Sequence, residues 1–210
     1  MPTKNVYASH LESDALDEAW RRFGHALRPL HAAAKLGAVL FQWPPWFTAK
    51  RTNRAILESL PSRLPDLQLA VEFRHESWLS DHDRDRTLEL LAAHNLSYVV
   101  VDEPQGFKSS VPPVVAHTAD LAIVRFHGRN TENWQRKGIT AAERFRYLYS
   151  TDELAEWVPP LRQLDAEVRE THILMNNCYQ DYGVRNAYDL ARLLGEGVQH
   201  NAPTPAFVAA

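Results

Sequence analysis

Glu72 with Arg74, Asp102, Arg125 with His127 and Arg129, and the pair Asn176 and Asn177 are the residues whose types and spacing suit chemistry. Glu72, Asp102 and His127 are the types that move protons, or that hold a divalent cation through oxygen and imidazole ligands. Arg74, Arg125 and Arg129 suit a phosphate or carboxylate, which a guanidinium grips with two parallel hydrogen bonds. Gln42, Asn176 and Asn177 donate and accept at once, as a hydroxyl-rich or base-like substrate requires. A divalent metal is the weaker idea, because HxH and HExxH spacings are absent; the cofactor is left open. The competing reading is a set of ion pairs, with Glu72 or Asp102 neutralising Arg125 or Arg74. Burying ions for stability alone is a poor device, since each unpaired one is penalised heavily. A ligand accounts for the cluster better.

Each of these residues ends a short apolar run. The runs are GAVLFQWPP from Gly37, LQLAVEFR from Leu67, LSYVVVDEP from Leu96, LAIVRFHGR from Leu121 and THILMNN from Thr171. Their near-continuous hydrophobicity predicts parallel strands covered on both sides. Side chains two apart share a face of a strand, which groups Leu40 with Gln42, and Ala70 with Glu72 and Arg74. It likewise groups Val100 with Asp102, Ile123 with Arg125, His127 and Arg129, and Leu174 with Asn176; Asn177 lies on the other face or turns with the strand end. All five runs therefore finish polar at the carboxyl end, where parallel α/β folds place ligands.

Helical patterns fill the gaps. One covers Asp14 to Leu27 and is broken by Pro29; another covers Lys50 to Leu60 and is stopped by Pro61. A third covers Asp83 to His94, with Ser80 or Asp81 as N-cap and Asn95 as C-cap. Ser150 and Glu153 form a capping box opening a helix that Pro159 and Pro160 kink or restart. The last runs from Val184 to Leu194 and ends at Gly195. Residues 196–210 form a polar tail expected to be disordered. Strand-then-helix alternation predicts right-handed crossovers, in either a doubly wound sheet or part of a barrel. GxGxxG and GxxxxGK[ST] are absent, which favours the barrel.

The chain has 210 residues, 23 Lys and Arg against 26 Asp and Glu, and a net charge of -3, so it is no general polyanion coat. One local segment is different: Arg125 to Arg146 holds six basic residues against Glu132 and Glu143, interleaved with Trp134, Phe145, Tyr147 and Tyr149. It reads either as a nucleic-acid surface or as a lid whose aromatics pack on the rim. The single cysteine, Cys178, excludes an internal disulfide and reads as a buried structural thiol; with no signal-like start or membrane-length apolar stretch, a cytoplasmic protein is expected.

Taken together, the strings FQWPPWF, AVEFRHESWL, VVVDEPQGF, VRFHGRN and LMNNCYQDYGVRNAYDL resemble the YecE-like family, domain of unknown function 72, over residues 5–195. The resemblance implies a TIM (β/α)₈-barrel and no settled activity. It singles out Gln42 and Pro44, Glu72 and Arg74, Asp102, Arg125 with His127 and Gly128, and Asn176 with Asn177. Members of that family begin with three further strands, so the five here would be the fourth to the eighth of an incomplete barrel. A misplaced start, a truncated coding sequence or a partner closing the sheet would account for that, and self-association through open edges is expected. The functional expectation is an enzyme acting on a phosphorylated or otherwise anionic substrate, with Glu72, Asp102 and His127 catalytic. The alternatives are nucleic-acid binding or processing, and an inactive remnant.

Overall fold

The computed structural model describes residues 7–195. In chain order the elements are α1 (Ser13–Ala32), β1 (Val39–Gln42), α2 (Arg51–Arg63), β2 (Leu69–Glu72), α3 (Arg84–Ala93), β3 (Leu96–Asp102), β4 (Leu121–Phe126), α4 (Ala141–Arg144), α5 (Thr151–Ala155), α6 (Val158–Glu167), β5 (Glu170–Met175) and α7 (Tyr182–Leu194). All five expected strands form. They make one sheet in the order β1-β2-β3-β4-β5, and every neighbouring pair is parallel. A doubly wound sheet reverses its strand order at a switch point; this order never reverses.

The register assigns each side chain to one of two faces. Gln42 pairs with Glu72 and Ala70 with Ser97, while Val101 pairs with Arg125 and Arg125 with Leu174. Phe41, Val71, Phe73, Val100, Asp102 and Phe126 therefore share the opposite face, and the helices cover that one. Trp20 of α1 packs 5.8 Å from Phe41, Trp78 stacks 4.4 Å from Phe73, and Trp157, between α5 and α6, meets Phe126 edge-on at 5.1 Å.

The other face curls inward. Val99 and Val101 in its middle are 1% and 0% exposed, whereas Leu40 and Leu174 on the edge strands are 37% and 43% exposed. In a flat sheet β1 and β5 would lie about 19 Å apart, at about 4.8 Å per strand. Yet a Cβ on Gly37, just before β1, would come 3.2 Å from the imidazole of His172 on β5. The sheet is rolled with its helices outside, and side chains from opposite edges meet across the interior.

Two prolines behave differently from expectation. Pro29 lies inside α1, and Ala33 still donates to its carbonyl; Pro61 lies inside α2, and Leu64 N–H still bonds the Leu60 carbonyl. One proline removes a single donor, and in α2 the buried Leu60 and Leu64 hold the last turn in place. The N-cap of α3 is Asp83 rather than Ser80 or Asp81, and its C-cap is His94, with Asn95 just beyond at a φ of 49°. Pro159 and Pro160 do restart the chain, as the first turn of α6. The Ser150–Glu153 capping box and the left-handed Gly195 are present. No helix among the described residues is long and apolar enough to cross a membrane. The 196–210 tail lies outside the described residues.

Candidate functional site

Six of the nine expected site residues converge on the inner face: Gln42 from β1, Glu72 and Arg74 from β2, Arg125 and His127 from β4, and Asn176 after β5. Four of them close a ring of hydrogen bonds. Arg125 Nη2 donates to Asn176 Oδ1 at 2.8 Å, and Asn176 Nδ2 sits 2.9 Å from His127 Nδ1. His127 Nε2 lies 3.0 Å from Glu72 Oε1, and Glu72 Oε2 accepts from Arg125 Nη1, which also reaches Gln42 Oε1 at 3.2 Å. Arginine only donates, so the Asn176 carbonyl must face it and the amide NH₂ must face the imidazole. Nδ1 of His127 then accepts, Nε2–H donates to Glu72, and the ring is satisfied with a neutral histidine.

Electrostatics agree with that assignment. Burial lowers the His127 pKa below its ordinary value and the nearby Arg74 and Arg125 reinforce this, against the opposing pull of Glu72. Burial alone would raise Glu72, but the hydrogen bond from His127 and the surrounding positive charge outweigh it and hold its pKa at about 2. The side chains of Glu72 and His127 are fully buried, while those of Arg74 and Arg125 keep 10% and 13% exposure. The cluster thus shows solvent the edges of two guanidiniums with a sealed carboxylate between them.

Glu103 completes this cluster, and sequence reasoning missed it. It follows β3 and lies on the inner face that Asp102 does not share. Its Oε2 accepts from Arg74 Nη1 at 2.7 Å and its Oε1 from the Val111 N–H at 2.8 Å. Arg74 Nη1 is also 3.4 Å from Glu72 Oε1, and its guanidinium lies 4.9 Å from the Trp134 ring. Burial raises Glu103 to about 7, in spite of Arg74 and the Val111 N–H.

Asp102, Arg129 and Asn177 stand apart, on the helical side. Asp102 Oδ1 accepts from Tyr149 OH at 2.7 Å and Arg129 Nε at 3.0 Å; Oδ2 accepts from Arg129 Nη2 at 2.7 Å and Trp157 Nε1 at 2.9 Å. Tyr149 OH also accepts from Gly128 N–H at 2.9 Å. Gly128 has a φ of 85°, and a Cβ there would sit 2.6 Å from Tyr147 Cβ. Asn177 Nδ2 donates to the Tyr147 carbonyl and to Asn186 Oδ1, clamping this segment to α7. Tyr149, Trp157 and Asn186 carry no local sequence signal that would have marked them as partners of a strand end. Cys178, expected buried, is exposed, because the chain has already left β5 there. Among the described residues no three His, Cys, Asp or Glu side chains are grouped to hold a metal ion.

The basic aromatic segment is mostly engaged internally. Trp134 covers Arg74, Arg129 lies over the buried Tyr149 at 5.8 Å, Arg144 donates to backbone carbonyls at Trp134 and Arg136, and Arg146 lies 4.8 Å from the Tyr179 ring.

The sequence model of a family described as a protein of unknown function, DUF72, matches residues 5–207. The chain belongs to the DUF72 family. Its similar proteins include the UPF0759 protein YunF of Bacillus subtilis (strain 168), 36% identical over 168 residues, which are 78% of this chain and 60% of that protein. A solved DUF72 family protein of Thermotoga maritima MSB8 is 37% identical with a TM-score of 0.77, covering 86% of this chain and 66% of that one. One from Enterococcus faecalis V583 is 28% identical with a TM-score of 0.82, covering 90% and 69%. This DUF72 chain therefore spans about two thirds of the length of the solved relatives, and somewhat less of YunF. The inner-face cluster draws on all five strands of the described residues.

Proposed function

We propose that this protein binds an anionic, phosphate- or carboxylate-bearing small molecule between Arg74 and Arg125, and acts on it with Glu72 and His127 as the proton-handling pair. The observation that carries the reading is the ring of Arg125, Asn176, His127 and Glu72. It fixes a guanidinium in one orientation with Nε–H and part of Nη2 unused, which is how a site is prepared for an oxyanion. A ligand that draws Arg125 toward itself uncovers a Glu72 carboxylate already backed by His127. Asp102 then serves to hold the following segment rather than to move protons. Nucleic-acid binding has less support, because Trp134 and Tyr149, two of the four aromatics that would stack bases, are buried.

The fold that best houses such a site is a (β/α)₈ barrel of which these are the fourth to eighth strands. Strand order without reversal, helices on one side and cross-interior contacts support it: strands four and eight face each other across such a barrel, as Gly37 and His172 do. The carboxyl ends of the strands are then the reacting face, and the free edges of β1 and β5 are where further strands or a second chain would pair.

Calorimetric titration of the full chain with sulfate tests the anion site. Arg125→Met is expected to weaken binding at least tenfold, while Glu72→Gln and His127→Ala keep a ligand site but abolish any turnover found by screening phosphate and carboxylate esters. Unchanged sulfate affinity in Arg125→Met would overturn the assignment.

A further inference from the structure

Glu103 is the one carboxylate of the inner cluster that the ring does not use. Its side chain has no exposure, and its two oxygens are taken by Arg74 and the Val111 N–H, away from the ring. Arg74 Nη1 is held 2.7 Å from Glu103 and only 3.4 Å from Glu72. Arg74 has a free edge to solvent and stands across Glu72 from Arg125. It is therefore a second anion-binding cation restrained by a buried acid.

We propose that Glu103 is a positioning residue that holds Arg74 away from the anion subsite, and that protonating it releases Arg74 to the bound anion. This deepens the reading above and rests on it. With Glu72 and Glu103 ionised, the two carboxylates balance Arg74 and Arg125, and the pocket has no net charge to offer. One proton on Glu103 leaves Arg74 unopposed except by the more distant Glu72. The protonated acid keeps its bond from the Val111 N–H, so the β3–β4 connection stays in place while Arg74 changes partner. The charged and titratable groups whose fields reach Glu103 are Glu72 of β2, Arg74 just after it, and Asp102 and Tyr98 of β3; from the 128–149 segment the uncharged Trp134 covers Arg74. Burial is the main cause that brings Glu103 into the neutral range, and repulsion from Glu72 and Asp102 adds to it. Anion binding and proton uptake are then coupled.

Sulfate is the suitable probe, because its charge does not change across the range. Calorimetry with the full chain should find affinity about fivefold weaker at pH 8 than at pH 7 and about twofold tighter at pH 5.5, following the fraction of the competent form. Glu103→Gln is expected to bind at the low-pH level throughout, with a flat profile. Arg74→Met should also be flat, at the weak level, which keeps the test open if Glu103→Gln fails to fold. Sulfate affinity in the wild type that is constant with pH, or a pH profile that survives in Glu103→Gln, would overturn the role of Glu103 while leaving the anion site standing. Absence of sulfate binding at every pH would overturn the anion site itself.

Discussion

Glu72 and Asp102 end adjacent strands, carry the same charge and are both buried, yet the structure uses them in opposite ways. Asp102 faces the helices and is saturated by an arginine, a tyrosine and a tryptophan reaching in from the segment after β4. Glu72 faces the rolled interior, and two of its three partners are arginines with an edge in solvent. A carboxylate whose arginine is spent entirely on carboxylates is a structural tie: Arg129 keeps 32% exposure, but its Nη1 lies 3.5 Å from Glu153 and 3.7 Å from Glu156. One whose partners can also reach a ligand is part of a site. Residue type does not distinguish the two; what the partners can do next does.

The first expected effect tests the structural side of that contrast. Asp102→Ala leaves the buried Trp157 N–H and Tyr149 hydroxyl without their acceptor, while Arg129 keeps solvent and Glu153, and should cost about 2–3 kcal/mol in denaturant unfolding, the range for buried donors left unpaired. Sulfate affinity of the folded fraction should not change. If instead the variant is as stable as wild type but blind to sulfate, the two carboxylates have been assigned the wrong way round.

Next is the pH dependence of stability conferred by Glu103. Its folded pKa, about 7 against 4.5, is raised, so the native state binds more protons than the unfolded chain between those values. Stability that is fully present below about pH 4.5 is therefore lost as the pH rises toward 7, by about 3 kcal/mol from the size of the shift. His127 acts in the other direction: its lowered pKa removes stability as the pH falls below about 6.5. The difference between wild type and Glu103→Gln isolates the first effect, and unfolding free energies measured at pH 4.5 and 7.5 should show the variant gaining on wild type with rising pH. A difference that is the same at both values would mean Glu103 is ionised throughout.

The smallest effect concerns the cover over the inner cluster. Trp134→Leu removes the ring lying over Arg74 and should cost about 1 kcal/mol, the worth of a partly desolvated cation–π contact plus lost packing. It should also raise the exposure of Arg74 and tighten sulfate binding slightly, whereas a change at the Asp102 network should not.

Much of this was legible in the chain. Five apolar runs became five parallel strands, and the capping box at Ser150 and the stop at Gly195 are present as the local chemistry requires. Six site residues were found because each shares strand parity with an apolar residue of its own run, at a strand end. Glu103 was hidden one residue beyond Asp102, where a sequence pattern favours the earlier acid. The prolines in α1 and α2 misled because propensity is a local penalty that packing of the surrounding turn can override.

The sequence by itself determined which segments become strands, which residues share a face within each one, and that polar side chains gather at the carboxyl ends. These depend on side-chain alternation and burial over a few residues. Only the tertiary structure decided which faces meet. The phase of one strand against the next is set by register and by the roll of the sheet, and a shift of one residue sends a side chain to the other side. That phase placed Asp102 under the helices and put Glu103 beside Arg74.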